Sequence, residues 1–189
     1  GNYTLQEISS EYTIGQLKTA GFTITDLDDF YSLSEIKTAG FTASEFKNSG
    51  YSPSQLKSAG FTITELKDAL YTTLQILTLY YPANEARLAG YTASQLKQFG
   101  YFDSQIIGAG FTALELAPLN FAANVLLNAG YTLQNLKDAG YTPNSLISAG
   151  ISNETIVSLN YSASLLASLG NPFTPTYLKE NGYTLAQIL

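Results

Sequence analysis

Three features of the sequence predict an all-α fold, an α-solenoid of about nineteen ten-residue units. One short pattern restarts every ten residues: an aromatic, Thr or Ser, two variable residues, Glu or Gln, Leu, Lys, a variable residue, Ala and Gly, nearly unblemished in 41–50, 51–60, 91–100 and 131–140. A fixed short period is the mark of a repeat array. Each unit also opens on a helix start signal and closes on a helix stop signal.

The start signal is double. In 91–100, Thr92 stands as an N-cap whose hydroxyl accepts from the backbone N–H three residues on, and Gln95 stands where its side chain reaches back to the cap. Tyr91 ahead of the cap and Leu96 inside the helix complete a hydrophobic staple. Gly100 falls where a left-handed residue closes a Schellman turn. Tyr101 then ends one helix and staples the next. Pro53, Pro143 and Pro175 directly follow a cap, the helical position where a missing N–H costs nothing. Asn120 and Asn160 replace the usual Gly, and Asn is the next best residue in the left-handed region.

Each helix is expected to run about seven residues, well short of the ~12 to 15 that an isolated helix needs in water, so neighbours must stabilise it. The aromatic, the first helical residue (Ile14, Ile24, Leu33, Ile63, Leu133), the Leu and the Ala recur with spacings near three and make one apolar stripe. Ala beside Gly lets successive helices approach, while the aromatic and Leu fill the space between. The hand of the superhelix does not follow from the pattern.

In chain order the units start at Tyr3, Tyr12, Phe22, Tyr31, Phe41, Tyr51, Phe61, Tyr71, Tyr81, Tyr91, Tyr101, Phe111, Phe121, Tyr131, Tyr141, Ile151, Tyr161, Phe173 and Tyr183, the last truncated. Tyr3 and Phe22 open nine-residue units without the Gly, and Asn171-Pro172 inserts two residues before Phe173. Between 31 and 170 the register never slips. From Tyr12 to Phe61 the aromatics alternate Tyr and Phe, which points to a two-helix, twenty-residue superperiod. The chain reads as one repeat domain, 1–189, with regular charged units over 1–100, apolar-drifted units over 101–170 and register-shifted units over 171–189.

Departures from the pattern mark candidate sites. From 68 to 89, Leu70 and Tyr80 replace Gly, Pro82 replaces the cap, and Leu77, Leu79, Tyr80 and Tyr81 form an apolar patch. Two readings fit: a kink or repacked core, and a hinge or binding groove. The seventh position of the unit carries Lys18, Lys37, Lys47, Lys57, Lys67, Arg87 and Lys97 in the first half, read as a solvated stripe. Over 101–170 the same position reads Ile107, Ala117, Leu127, Lys137, Ile147, Val157 and Ala167. Such a change on a surface position suggests a contact with a partner; wider packing within the array is the other reading. The candidate interaction surface is therefore Leu77, Tyr80, Tyr81, Ile107, Leu127, Ile147 and Val157. Asp26, Asp28 and Asp29 lie within four residues, but their spacing is not that of an EF-hand loop, and a solvated acidic helix end is the simpler reading.

Composition excludes much. With no Cys, His, Met or Trp the chain lacks soft metal ligands, imidazole bases and thiol nucleophiles, so no catalytic residue, metal site or cofactor is assigned. A net charge of −6 with nine dispersed Lys and Arg disfavours nucleic acid. No apolar run approaches the roughly 20 residues of a membrane helix, so no membrane insertion is expected. The first residues show no signal-peptide pattern. Asn2-Tyr3-Thr4, Asn153-Glu154-Thr155 and Asn160-Tyr161-Ser162 match the glycosylation acceptor pattern, which a chain rich in Ser, Thr and Asn also produces by chance.

The stretch from Ala89 to Lys97, Ala-Gly-Tyr-Thr-Ala-Ser-Gln-Leu-Lys, resembles the tandem decapeptide repeats in long repeat proteins of large DNA viruses, some protists and bacteria. The resemblance implies a repetitive structural or interaction protein and carries no catalytic residue. The expected function is a non-enzymatic scaffold, spacer or protein-interaction module, with a protein partner or self-association through the apolar stripe of the C-terminal half. The alternative is a small-ligand or glycan-binding module using the Tyr-rich irregular units. An enzyme would have to draw all its chemistry from Asp, Glu, Lys and Tyr.

Overall fold

A computed structural model describes residues 4–188. The first unit start, Tyr3, and the acceptor Asn2 lie outside the described residues, as does Leu189. Among the described residues there are nineteen α-helices, one 3₁₀ turn at Ala117–Leu119 and no strand. The chain forms two compact units, the first comprising Gly1–Tyr91 with Gln98–Tyr101 and the second Thr92–Lys97 with Phe102–Leu189.

The first unit holds α1 (Leu5–Ile8), α2 (Ile14–Thr19), α3 (Ile24–Leu27), α4 (Leu33–Thr38), α5 (Ala43–Asn48), α6 (Pro53–Ser58), α7 (Ile63–Asp68), α8 (Thr73–Leu77) and α9 (Ala83–Leu88). Helix α10 (Ala93–Gln98) is divided between the two units. The second holds α11 (Asp103–Gly108), α12 (Ala113–Leu116), α13 (Ala123–Asn128), α14 (Leu133–Asp138), α15 (Pro143–Ser148), α16 (Asn153–Ser158), α17 (Ala163–Ala167), α18 (Pro175–Glu180) and α19 (Leu185–Ile188). Most run six residues rather than seven, because the Ala at the ninth position already leaves the helical region, as at Ala59 with ψ 0°.

Both ends are closed as the pattern predicts. At α7, Glu65 N–H donates to Thr62 Oγ1 at 3.2 Å while Thr62 N–H donates to the Glu65 carboxylate at 2.7 Å. At the end of α6, Gly60 N–H donates to the Lys57 carbonyl at 2.9 Å and Phe61 N–H to the Leu56 carbonyl at 3.0 Å, with Gly60 at φ +87°. That pair of bonds is a Schellman turn. At α11 the cap is Phe102, which has no hydroxyl, and half of the box survives: Phe102 N–H donates to Gln105 Oε1 at 2.9 Å.

The irregular stretch 68–89 keeps the same backbone path. Leu70 and Tyr80 adopt the left-handed conformation of the Gly they replace, with φ 61° and 51°. A branched or aromatic residue there costs about 1–2 kcal/mol. Asn120 and Asn160 do the same at φ 52° and 55°.

The twenty-residue superperiod is written in hydrogen bonds. Tyr71 hydroxyl donates to the Tyr51 carbonyl at 2.6 Å, and Tyr81 hydroxyl to the Phe61 carbonyl at 2.8 Å. In the second unit Tyr131 reaches Phe111, Tyr141 reaches Phe121 and Tyr161 reaches Tyr141 in the same way. Every second helix therefore stacks: α4 on α6 and α5 on α7 in the first unit, α12 on α14 and α13 on α15 in the second. Alternate helices form two layers. The sixth-position side chains meet between them, and Ile36, Phe46, Leu56, Leu66, Ile76, Leu126, Leu136 and Leu146 are all fully buried. Burial on that scale, worth about 1.5–3 kcal/mol for each large aliphatic or Phe side chain, is what holds helices this short.

Candidate interaction surface

The seventh position is only in part the solvated stripe that the sequence suggests: Lys67 and Lys97 are exposed, and Lys18, Lys37, Lys47, Lys57 and Arg87 are half-buried. Lys37 is half-buried; its Nζ donates to the Gly60 carbonyl at 2.6 Å, lies 4.4 Å from the centre of the Phe61 ring and stands 3.1 Å from the Glu65 carboxylate. Lys18 repeats this with Gly40, Phe41 and Glu45. Lys47 donates to the Ala69 and Leu70 carbonyls over the Tyr71 ring, Lys57 to the Leu79 and Tyr80 carbonyls over Tyr81, and Lys67 to the Ala89 carbonyl over Tyr91. In the second unit Lys137 does so with the Leu159 and Asn160 carbonyls over Tyr161. The physical cause is the open carbonyls that every helix end leaves, together with the negative face of the ring that follows. Lys97 is different, pairing instead with Asp103.

From Lys37 onward the register is constant, while Lys18, ahead of the nine-residue unit at Phe22, meets its ring one residue earlier, at Phe41. The lysine at i meets carbonyls at i+22 and i+23 and a ring at i+24, as Lys57 meets Leu79, Tyr80 and Tyr81. The slot thus lies between a helix and the end of the second helix after it. Ile107, Leu127 and Ile147 stand at the same position half-buried, and Val157 is only 4% exposed. Leu77 and Tyr81 belong to the core as well, at 0% and 5% exposure. Of the seven candidate surface residues only Tyr80 stands well out, at 59%. Its ring lies 5.7 Å from that of Tyr101. For ring stacking on a sugar, Tyr81 is therefore occupied with its own core and Tyr80 is open.

Other apolar side chains do face solvent. Leu70, Leu74 and Leu88 are exposed in the first unit, and Phe102 and Leu114 in the second. Sequence reasoning missed four of these as surface groups. Their signal is positional: they occupy second, fourth, eighth or tenth places, where regular units carry Thr, Ser, Gln or Gly.

The carboxylates are largely committed. Burial works to raise the Glu65 carboxyl, but hydrogen bonds from Thr62 and the Lys37 ammonium together hold it below its ordinary value. Glu35 is lowered by the Ser32 hydroxyl and then by the Ser32 N–H. Within the acidic trio, Asp26 closes the Thr23 capping box and Asp28 accepts from the Tyr51 hydroxyl. Among the described residues no group of three or more Asp or Glu is arranged to hold a metal ion. No helix of the described residues is long and apolar enough to cross a membrane.

A family model described as a decapeptide repeat region matches residues 2–73, 60–131 and 80–153. No curated protein and no solved structure matches the chain.

Proposed function

The chain belongs to the decapeptide repeat family, and from that premise we propose that it is a non-enzymatic scaffold or spacer that engages protein through its outward helix positions. One observation carries this reading. The groups that usually do chemistry are spent on the fold: hydroxyls and carboxylates of the second and fifth positions cap helices, lysines of the seventh close helix ends, and tyrosines of the first tie alternate helices together. What points outward are the fourth and eighth positions, which apart from Gly15 are exposed and vary from unit to unit. Leu74, Leu88 and Leu114 place large apolar groups there, and a repeat array spreads affinity over many such shallow contacts.

The test substitutes the outward leucines, Leu74→Lys, Leu88→Lys and Leu114→Lys, and separately the half-buried trio Ile107→Lys, Leu127→Lys and Ile147→Lys. Light scattering then reads oligomeric state, cross-linking reads association with partner proteins, and thermal unfolding reads stability. The outward set is expected to change association at unchanged melting temperature, and the half-buried set to lower the melting temperature. An outward set that leaves every association untouched sinks the reading.

A further inference from the structure

The lysine slot recurs along the chain, and at Ala117 a small side chain stands in place of the lysine. At Ala117 the register i+22, i+23 and i+24 falls on Ala139, Gly140 and Tyr141, the counterparts of the two carbonyls and the ring that hold Lys47 and Lys57. Elsewhere in 101–170 the position carries the larger Ile107, Leu127, Lys137, Ile147 or Val157, or Ala167, for which the same register falls outside the described residues. The groove at this place, about 490 Å³ in the second unit, is lined by Ala117, Ala139, Gly140 and Tyr141 together with Phe121 and Ser145, whereas the corresponding groove beside Lys37, about 450 Å³, does not reach Ala59, Gly60 or Phe61. Ser145 stands where Glu65 pairs with Lys37 in the homologous place, 28 residues after the seventh position.

Three conditions for holding a cation are met by this arrangement. Last-turn carbonyls of the kind that bind Nζ elsewhere at 2.6 to 3.0 Å line the space. Tyr141 supplies the aromatic face, and its hydroxyl is fixed by donation to the Phe121 carbonyl, which holds the ring in place. No charged residue lines the cavity, so no internal ammonium competes, and the net charge of −6 favours a cation over an anion.

We propose that this cavity is a binding site for a primary alkylammonium group, a free amine or the side chain of a lysine from another protein, which enters where the chain's own lysine is missing. The carbonyls of Ala139 and Gly140 accept its N–H donors, the Tyr141 face stabilises its charge, and the alkyl stem lies along Ala117 and Phe121. The site stands independently of the scaffold reading, since a free amine can fill it without any protein partner.

The test uses the full chain and n-butylammonium chloride, with 1-butanol as the neutral isostere and sodium chloride to match ionic strength. Saturable binding with a dissociation constant on the order of millimolar is expected, read by chemical shift changes at Tyr141 and its neighbours and by a melting temperature raised by a few degrees at saturation. Ala117→Lys is expected to abolish binding and to raise the melting temperature of the free protein, and Ala117→Leu to abolish binding by filling the space as Leu127 does. A second arm compares an acetylated, amidated lysine peptide with its Nε-acetyl form: tighter binding of the lysine peptide than of butylammonium identifies a protein lysine as the source, and equal or weaker binding identifies a free amine. Equal binding of butanol, no saturable binding of butylammonium or the lysine peptide, or binding that survives both Ala117 variants would each overturn the proposal.

Discussion

The Lys57 ammonium lies 4.8 Å from the centre of the Tyr81 ring, twenty-four residues further along, and 2.5 Å from the Leu79 carbonyl beside it. One side chain thereby closes a helix end two repeats away and lies over the ring that starts the next helix. Its long aliphatic stem spans the packed interval between them. The seventh position is thus a structural joint whose charge is used at its tip.

Lys57→Met keeps the stem and removes the tip, leaving the Leu79 carbonyl without its donor. Chemical denaturation is expected to show a loss of about 2 kcal/mol, at the lower end for a charge-assisted hydrogen bond plus a cation–π contact. Because the Lys57 partners are neutral, the loss should change little with salt. Lys37→Met removes an ion pair to Glu65 as well, so its loss should shrink as salt rises.

The left-handed corners offer a paired test. Leu70→Gly relieves a positive φ at a side chain that is 79% exposed, and should stabilise the protein by about 1 kcal/mol. Gly60→Ala should cost about 1 kcal/mol from conformation alone, since a Cβ there meets nothing within 4 Å. Equal stability of both variants with the parent would show that these corners carry no strain.

Two tyrosines one superperiod apart should respond in opposite directions. Tyr81→Phe strips the Phe61 carbonyl of its donor and is expected to cost about 1 kcal/mol. The Tyr101 hydroxyl is buried without a hydrogen-bond partner, so Tyr101→Phe should be neutral or stabilising by up to about 1 kcal/mol. Thermal unfolding of the two single variants decides it.

Acid should loosen the array through its capping boxes. Glu35, Glu45 and Glu65 all titrate below their ordinary value of 4.5 when folded, so the unfolded chain binds protons first. Their contribution is fully present above about pH 4.5 and is lost as pH falls through the lower folded values. Glu65→Gln keeps the cap as an amide and should flatten the melting temperature profile below pH 4.5 relative to the parent. Identical profiles would count against the capping boxes as the acid-sensitive element.

Alkali should act through the buried hydroxyls. Burial, first of all, pushes Tyr81 and Tyr101 up to about 12, so these phenols resist ionisation when folded. Their contribution holds below the ordinary value of 10 and is lost as pH rises from about 10 towards 12. A near-ultraviolet absorbance titration should therefore show a late tyrosine phase near pH 12 that moves to about 10 in denaturant.

Much of the local fold can be read directly from the sequence. Thr62, Glu65, Gly60 and Phe61 announce the two ends of their helices, and the bonds form as their spacing requires. Such bonds span three to five residues, so local chemistry suffices. The superperiod was legible only from Tyr12 to Phe61, where Tyr and Phe alternate, yet the structure continues it to Tyr161 over Tyr141. Backbone carbonyls accept those hydroxyls, and a carbonyl leaves no trace in residue type.

The candidate site was legible by position and misread in environment. The change at 107, 117, 127, 147 and 157 is real, but the position lies between stacked helices, and burial depends on a neighbour more than twenty residues away. Leu77 and Val157 entered the candidate surface by residue type and are core. By itself, then, the sequence determined the ten-residue helix with both ends closed, because caps, Gly corners and the staple act within one unit. Only the tertiary structure decided where the lysines go, which aromatic each one meets and why Ala117 leaves a space, because those contacts exist only once alternate helices stack.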